Sequence, residues 1–286
     1  MPVLGALNGS YNNYVFDKTF DDLQHKIYVT QMDGVDDLPT VRQSDVPRAQ
    51  QDGSFGGLDY LDERVITLGL NLIAPDNPTF RQMRQDLETA FQPMRSAELP
   101  LYLFNNTRII FARVKKRSGG MDLSWAQTQG ETLLELVATD PRKYAANLTT
   151  LAASVAVLGG GVTFPLTFPL TFGTATVSGQ IIATNAGNYS TLPTAHITGP
   201  VDNPRIEHTD QGAAITMAIS LAAGDYLDID FAAHTIILNG TASRRSTLTA
   251  ASRWFELTPG DNHLRYSADT VQLGSVCTLT FRSAWL

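Results

Sequence analysis

A chain of 286 residues with 43% hydrophobic and 17% charged residues is too apolar for disorder and long enough for two cores, at ~100–200 residues per domain. A formal charge of −7 argues against a surface that binds nucleic acid broadly, and the single cysteine, Cys277, excludes a disulfide framework and a cysteine-based metal site. No run of ~18 apolar residues offers a membrane span, and the opening MPVLGALNGSYNNYVF lacks the basic and apolar regions of a signal peptide.

In the first half, Lys26-Ile27-Tyr28-Val29-Thr30 reads as a strand and Met32-Asp33-Gly34-Val35 as a tight turn. From Leu38 to Leu58 the chain is polar and rich in Pro and Gly, which predicts a long loop used in contacts. Arg64–Ile73 alternates, with Ile66, Leu68, Leu70 and Leu72 on one apolar face, and reads as a half-buried strand. One helix follows. Asn77 is the expected N-cap with Pro78 at the first helical position, Phe80, Met83, Leu87, Ala90 and Phe91 form the apolar stripe, and Pro93 ends it. Leu99–Phe104 and Arg108–Arg117 read as a hairpin about Asn105-Asn106, with Lys115-Lys116-Arg117 as a basic strand end beside Gly119. That cluster reads either as a solvated strand end or as a contact to a partner subunit or to DNA phosphates. Thr132–Ala138 is a further strand, stopped at Asp140-Pro141.

The stretch GGGVTFPLTFPLTFG, 159–173, repeats Phe-Pro-Leu-Thr. Pro165 and Pro169 fix φ and give no amide proton, so an extended strap is expected, with Phe164, Phe168 and Phe172 on one side as interdomain packing residues. After it, strands are predicted at Ala175–Ile182, Thr194–Thr198, Arg205–His208, Ala214–Leu221, Gly224–Phe231, Thr235–Leu238, Trp254–Leu257, His263–Tyr266 and Val276–Phe281. Turn signals separate them, among them Asn185–Asn188, Pro200–Pro204, Asn239-Gly240 and Asp261-Asn262. Short strands without helices read as an antiparallel β-sandwich. The fold class is mainly β with one helix, in two domains. Whether the last strand, Val276–Trp285, pairs in the second domain or with the first is open at this point.

No chemistry emerges. The five histidines have no metal-ligand spacing, and no nucleophile elbow, P-loop or dinucleotide fingerprint is present. Asp228 and Asp230 share a strand face and are the only candidate glycosidase or calcium pair, with a solvent-facing role as the plainer account. Trp125, Trp254, Trp285, Tyr226 and Tyr266 could build a sugar-stacking platform or a core. No cofactor or metal is expected.

The order of features resembles the distal tail proteins of long-tailed, non-contractile bacteriophages. The resemblance runs through Met32-Asp33-Gly34, the strand at Arg64–Leu72, the Asn77–Pro93 helix, Asp140-Pro141 with Tyr144, and the FPLTFPLTFG strap. It continues in Asn185-Ala186-Gly187, Pro193, Gly199, Asn203-Pro204, Gly224–Asp230, Leu238-Asn239-Gly240, Trp254–Asn262 and Ser283-Ala284-Trp285. It implies an N-terminal ring-forming domain of β-sandwich or split-barrel type over 1–145, an interdomain strap over 146–173 and a galectin-like sandwich over 174–286. It also implies a structural, non-enzymatic virion protein at the tail tip, assembled in the bacterial host cytoplasm. Six copies would form a ring around the DNA channel, joining the tail tube protein to the tail-tip hub or tail-associated protein. Receptor-binding or other tip proteins would be neighbours, DNA would meet the ring only in transit, and no membrane insertion is implied. A head-to-tail ring needs two different surfaces per subunit. Lys115, Lys116 and Arg117 and, in the polar loop, Asp52 and Phe55 are the candidates. A glycan-binding module on the virion surface is the alternative function.

Overall fold

The computed structural model describes residues 9–16, 18–19, 26–93, 98–103, 107–119, 128–155, 179–269 and 274–286. The strap with Phe164, Phe168 and Phe172, together with Trp125 and the Asn105-Asn106 turn, lies outside them. The chain divides into two compact units, Met1–Ala146 with Leu286, and Asn147–Trp285.

In the first unit, β1 (Gly9–Tyr11), β2 (Tyr14–Phe16), β3 (Lys18–Thr19) and β4 (Lys26–Asp33) precede the segment 38–62. That segment is more than a loop. Its short strands β5 (Val41–Arg42), β6 (Val46–Pro47), β7 (Ser54–Phe55) and β8 (Tyr60–Leu61) pair β5 with β8 and β6 with β7, so the chain runs out and back as a thin arm. β9 (Arg64–Ile73), helix α1 (Asn77–Ala90), β10 (Leu99–Leu103), β11 (Arg108–Gly119), β12 (Gln129–Ala138) and β13 (Lys143–Ala145) follow. The sheet runs β2–β1–β10–β11–β12–β9–β4–β3. β11 is long enough to serve three partners: Arg108–Ala112 pair with β10 and Arg108 and Ile109 also with β13, whereas Arg113–Gly119 pair with β12. The apolar face expected for β9 is buried, Ile66, Leu68, Leu70 and Leu72 packing with Leu134 and Leu136 of β12 and with Phe80, Met83 and Leu87 of α1. The helix cap differs from expectation by one residue. Asp76 is the N-cap, its Oδ1 accepting from the Thr79 amide at 2.8 Å, and Pro78 falls one place into the first turn. Either residue suits an N-cap; the extended backbone of Asp76 decides it.

The second unit begins earlier than the strap reading predicts. β14 (Thr149–Ser154) pairs along its length with β25 (Val276–Phe281), because its alternation turns Leu151 and Ala153 to the core. Between them lie β15 (Gln180–Asn185), β16 (Thr194–Thr198), β17 (Val201–Asp202), β18 (Arg205–His208), β19 (Ala213–Thr216), β20 (Ser220–Leu221), β21 (Tyr226–Asp230), β22 (Thr235–Leu238), β23 (Ala242–Ser243) and β24 (Gly260–Ser267). Two antiparallel sheets, β14–β25–β16–β21–β22–β23 and β15–β24–β18–β19, enclose one core. This is the antiparallel sandwich expected. β25 sits inside the first of these sheets, between β14 and β16. Cys277 within it is buried, its thiol pushed up to about 12 by burial.

Three local readings change. Trp254–Leu257 is extended but joins no ladder beyond a single bridge from Leu257 to Thr191; its alternation comes from burying Phe255 and Leu257. Asp261-Asn262 is no turn but part of β24, with Asn262 wholly buried. The predicted strand Ala214–Leu221 divides, β19 pairing with β18 and β20 with β17.

Candidate assembly surfaces

The arm is anchored by a residue that sequence reading passed over. Arg64 opens β9 and is 1% exposed. Its Nη1 donates to the carbonyls of Gly34, Val35 and Asp37 at 2.7–2.9 Å, and its Nε donates to Pro141 at 2.8 Å. A guanidinium offers several donors in one rigid plane, so it can gather carbonyls that a turn leaves without partners. Asp36, ion-paired to Lys143 at 3.2 Å, and Asp37 place negative charge beside it. The only sequence signal was a charge at the head of an apolar strand.

Beyond this anchor the arm is held by few contacts. Asp45 accepts from the Gly57 amide at 2.9 Å, and Arg42 lies 3.6 Å from Asp62. Phe55 pairs with Val46 and is 62% exposed, with the Arg48 guanidinium 5.0 Å from its ring centre. Asp52 is exposed near the tip. Of ten large apolar side chains exposed among the described residues, five (Leu38, Val46, Phe55, Leu58 and Tyr60) belong to this arm. Two-stranded ladders are marginal in water, so such a concentration marks an interaction surface.

The basic strand end separates into three roles. Lys115 sits at a register shift in the β11–β12 ladder and is ion-paired to Glu135 at 2.7 Å. Arg117 reaches the C-terminus of α1, donating to the carbonyls of Glu88 at 3.1 Å and Phe91 at 3.4 Å, where the helix leaves carbonyls and partial negative charge uncovered. Lys116 is exposed and takes no partner among the described residues. Arg117→Ala should therefore lower stability by about 1 kcal/mol through the lost cap, whereas Lys116→Glu should leave the melting temperature within a degree or so and act on assembly alone. Melting curves of the two variants, beside their native masses, check this.

The same region holds an open sheet margin. β10 accompanies β11 only as far as Ala112, so among the described residues Arg113–Gly119 have no strand on that side. At the other margin β3 accompanies β4 only at Lys26 and Ile27, so among the described residues Tyr28–Asp33 have no strand on that side.

The second unit presents no catalytic grouping among the described residues. Asp228 is 2.7 Å from His196, while Asp230 accepts from the amides of Ala232 and Ala233 and so caps a turn. Trp254 is half-buried, with His234 stacked on it at 4.7 Å and Phe231 edge-on at 5.4 Å, which covers it as a platform. Several motifs behind the resemblance prove to be joints. Asn185, 1% exposed, donates to the carbonyls of Tyr189 and Leu257 and accepts from the amides of Gly187 and Ala284. Ala186 donates to the Ser283 hydroxyl at 3.0 Å. Gly187 lies so close to this joint that a Cβ would stand 1.7 Å from the Ala284 oxygen. Asn239-Gly240 has both φ positive, 51° and 70°, as a two-residue hairpin turn requires.

Residues 186–285, which begin at that joint and end at its far side, match the family model of the siphovirus-type tail component, C-terminal domain. The match lies within the second unit. No curated protein matches the chain by sequence. Among solved structures, SPP1 Dit (gp 19.1), presented as a paradigm of the hub adsorption apparatus in phages infecting Gram-positive bacteria, is similar over 98% of this chain and 99% of its own, at 13% identity and a TM-score of 0.68. A chain of the phage P2 baseplate in its activated conformation with Ca is 11% identical over 96% of each chain, with a TM-score of 0.49. The likeness to SPP1 Dit extends the shared fold beyond the tail-component domain to the first unit.

Proposed function

We propose that this protein is a structural component of the distal phage tail, that six copies join through their first units into a ring around the DNA channel, and that the ring links the tail tube to the tip hub. The observation that carries the ring is the pair of open margins on one sheet. Consecutive strands of β4–β9–β12–β11 are antiparallel, so β4 and β11 point in opposite directions. When copies are related by rotation about an axis along the strands, the β11 margin of one meets the β4 margin of the next in antiparallel order, without reversing either. This is a heterologous contact, and it closes when the rotation closes. Exposed sheet margins are ready templates for such pairing.

The tail-component family that residues 186–285 match supports the tail assignment, and the negative net charge suits a conduit from which DNA must not stick. Candidate contacts at the joint are Lys116 on β11 and the exposed arm residues Asp52 and Phe55. Native mass measurement of the purified protein, with negative-stain images, tests the reading. A species of about six times 31.1 kDa with ring-shaped particles is expected. A monomer throughout the micromolar range would overturn self-assembly.

A further inference from the structure

The second unit carries six arginines, no lysine and nine carboxylates, yet three of the arginines, Arg244, Arg245 and Arg253, fall within ten residues, and no Asp or Glu lies between Asp230 and Glu256. Their segment runs from the rim strand β23 of one sheet to the rim strand β19 of the other. It is pinned at both ends. The Arg244 amide donates to the Ile236 carbonyl at 2.7 Å, and the Thr249 and Arg253 amides donate to the carbonyls of Thr216 and Ala214 at 3.0 and 2.8 Å. Arg245 and Arg253 are exposed, and Arg244 is half-buried with its Nη1 on the Ser243 carbonyl at 3.3 Å. None of the three makes an ion pair among the described residues. The carboxylates nearest in sequence are engaged elsewhere: Asp225 accepts from Asn239, Asp228 lies 2.7 Å from His196, Asp230 caps a turn and Glu256 accepts from the Ser190 hydroxyl. Like charges without a counter-charge repel, and an anion laid across them removes that cost.

The surroundings select the anion. Guanidinium forks match phosphate oxygens in pairs. A protein partner needs an apolar anchor, and the large apolar side chains exposed among the described residues of this unit, Leu148 and Ile182, both lie outside the segment. A single-stranded nucleic acid needs open rings for its bases, and Trp254, the ring next to Arg253, is covered by His234 and Phe231. What the segment adds to its charge is hydroxyls, those of Thr241, Ser243 and Ser246 being on exposed residues. We propose that residues 241–253 bind a polyol-phosphate polymer, its phosphodiesters lying on Arg245 and Arg253 and its polyol against the Ser and Thr hydroxyls. Thr247 and Arg253 are bonded to Ala218 and Ala214, four residues apart, which sets them about 13 Å apart along the rim. One short stretch of polymer therefore reaches both ends of the segment, through different phosphates. The site goes beyond the ring, and rests on the tail-tip reading only for where such a polymer is met, on a cell surface.

The test is titration of the full chain with a synthetic poly(glycerol phosphate) at several salt concentrations, with native mass read on the same samples. The unmodified protein should bind, with an affinity that falls with salt at a log–log slope of about −1.4 to −2.1, as two or three neutralised phosphates require. Arg245→Gln and Arg253→Gln, both at exposed positions, should each weaken binding at least about fivefold and flatten the slope by about 0.7. Arg205→Gln, which removes a guanidinium already paired to Glu207 at 3.1 Å, should change binding by less than about twofold. No measurable binding, or Arg245 and Arg253 variants that bind as the unmodified protein does, would overturn the site. An oligodeoxythymidylate of equal charge that binds as tightly would overturn the choice of polymer. Absence of binding in samples whose mass shows rings sinks the site alone, and binding by a chain that stays monomeric sustains the site while the ring falls.

Discussion

Arg64→Ala is expected to cost the first unit about 3–5 kcal/mol, a melting shift on the order of 10 °C. Four backbone carbonyls, those of Gly34, Val35, Asp37 and Pro141, lose their donor in a place where water has little access. Arg64→Lys should recover little, because one ammonium cannot span carbonyls presented around a plane. The same carbonyls fix where the arm leaves the unit, so ring formation should fail in the variant at temperatures where the unit is still folded. Chemical denaturation and native mass, measured on the same samples, separate these two effects. A loss below about 1 kcal/mol would mean the carbonyls find other donors.

Asn262→Ala is expected to cost the second unit about 3–4 kcal/mol. Its amide nitrogen donates to the carbonyls of Ala183, Thr258 and Gly260, and its oxygen accepts from the Thr258 amide and hydroxyl and from His208 Nε2. Because the nitrogen faces carbonyls, the oxygen must be the acceptor, which fixes the proton of His208 on Nε2. Asn262→Asp, nearly identical in shape, should be at least as damaging, since it turns a carboxylate oxygen toward those carbonyls. Urea denaturation of the full chain, followed by a probe in the second unit, decides between a shape requirement and a hydrogen-bond requirement. Asp as tolerable as Asn would refute the latter.

These two residues also mark where reading the sequence succeeds and stops. Period-two burial locates β9, β16, β18, β22 and β25 at their observed ends, because each strand buries alternate side chains in its own unit. Helix α1 is legible from its stripe for the same reason. Asp261-Asn262 reads as turn punctuation because an Asp-Asn pair favours turns locally, whereas the partners of Asn262 come from residues as distant as Ala183. Arg64 opens a strand that the alternation predicts, but its partners lie on two other segments. β14 lies within the range read as strap, because six residues with one large apolar side chain, Leu151, carry little signal until β25 lies beside them. The candidate surfaces divide likewise. The basic run at 115–117 was visible as charge, but only the fold assigns Lys115 to Glu135 and Arg117 to the helix end.

A sheet with two open margins carries a hazard as well as a use. Flat margins pair with any extended chain and with each other without limit, which is how fibrils grow. Both margins here are interrupted: the ladder register shifts between Val29 and Gln31 on β4 and between Val114 and Lys116 on β11. Each irregularity adds local twist and breaks the row of evenly spaced donors and acceptors. A chance partner therefore meets a short, bent ladder, while a copy approaching at the matching twist meets its complement. The two bulges favour an assembly that closes on itself over one that continues as a fibre.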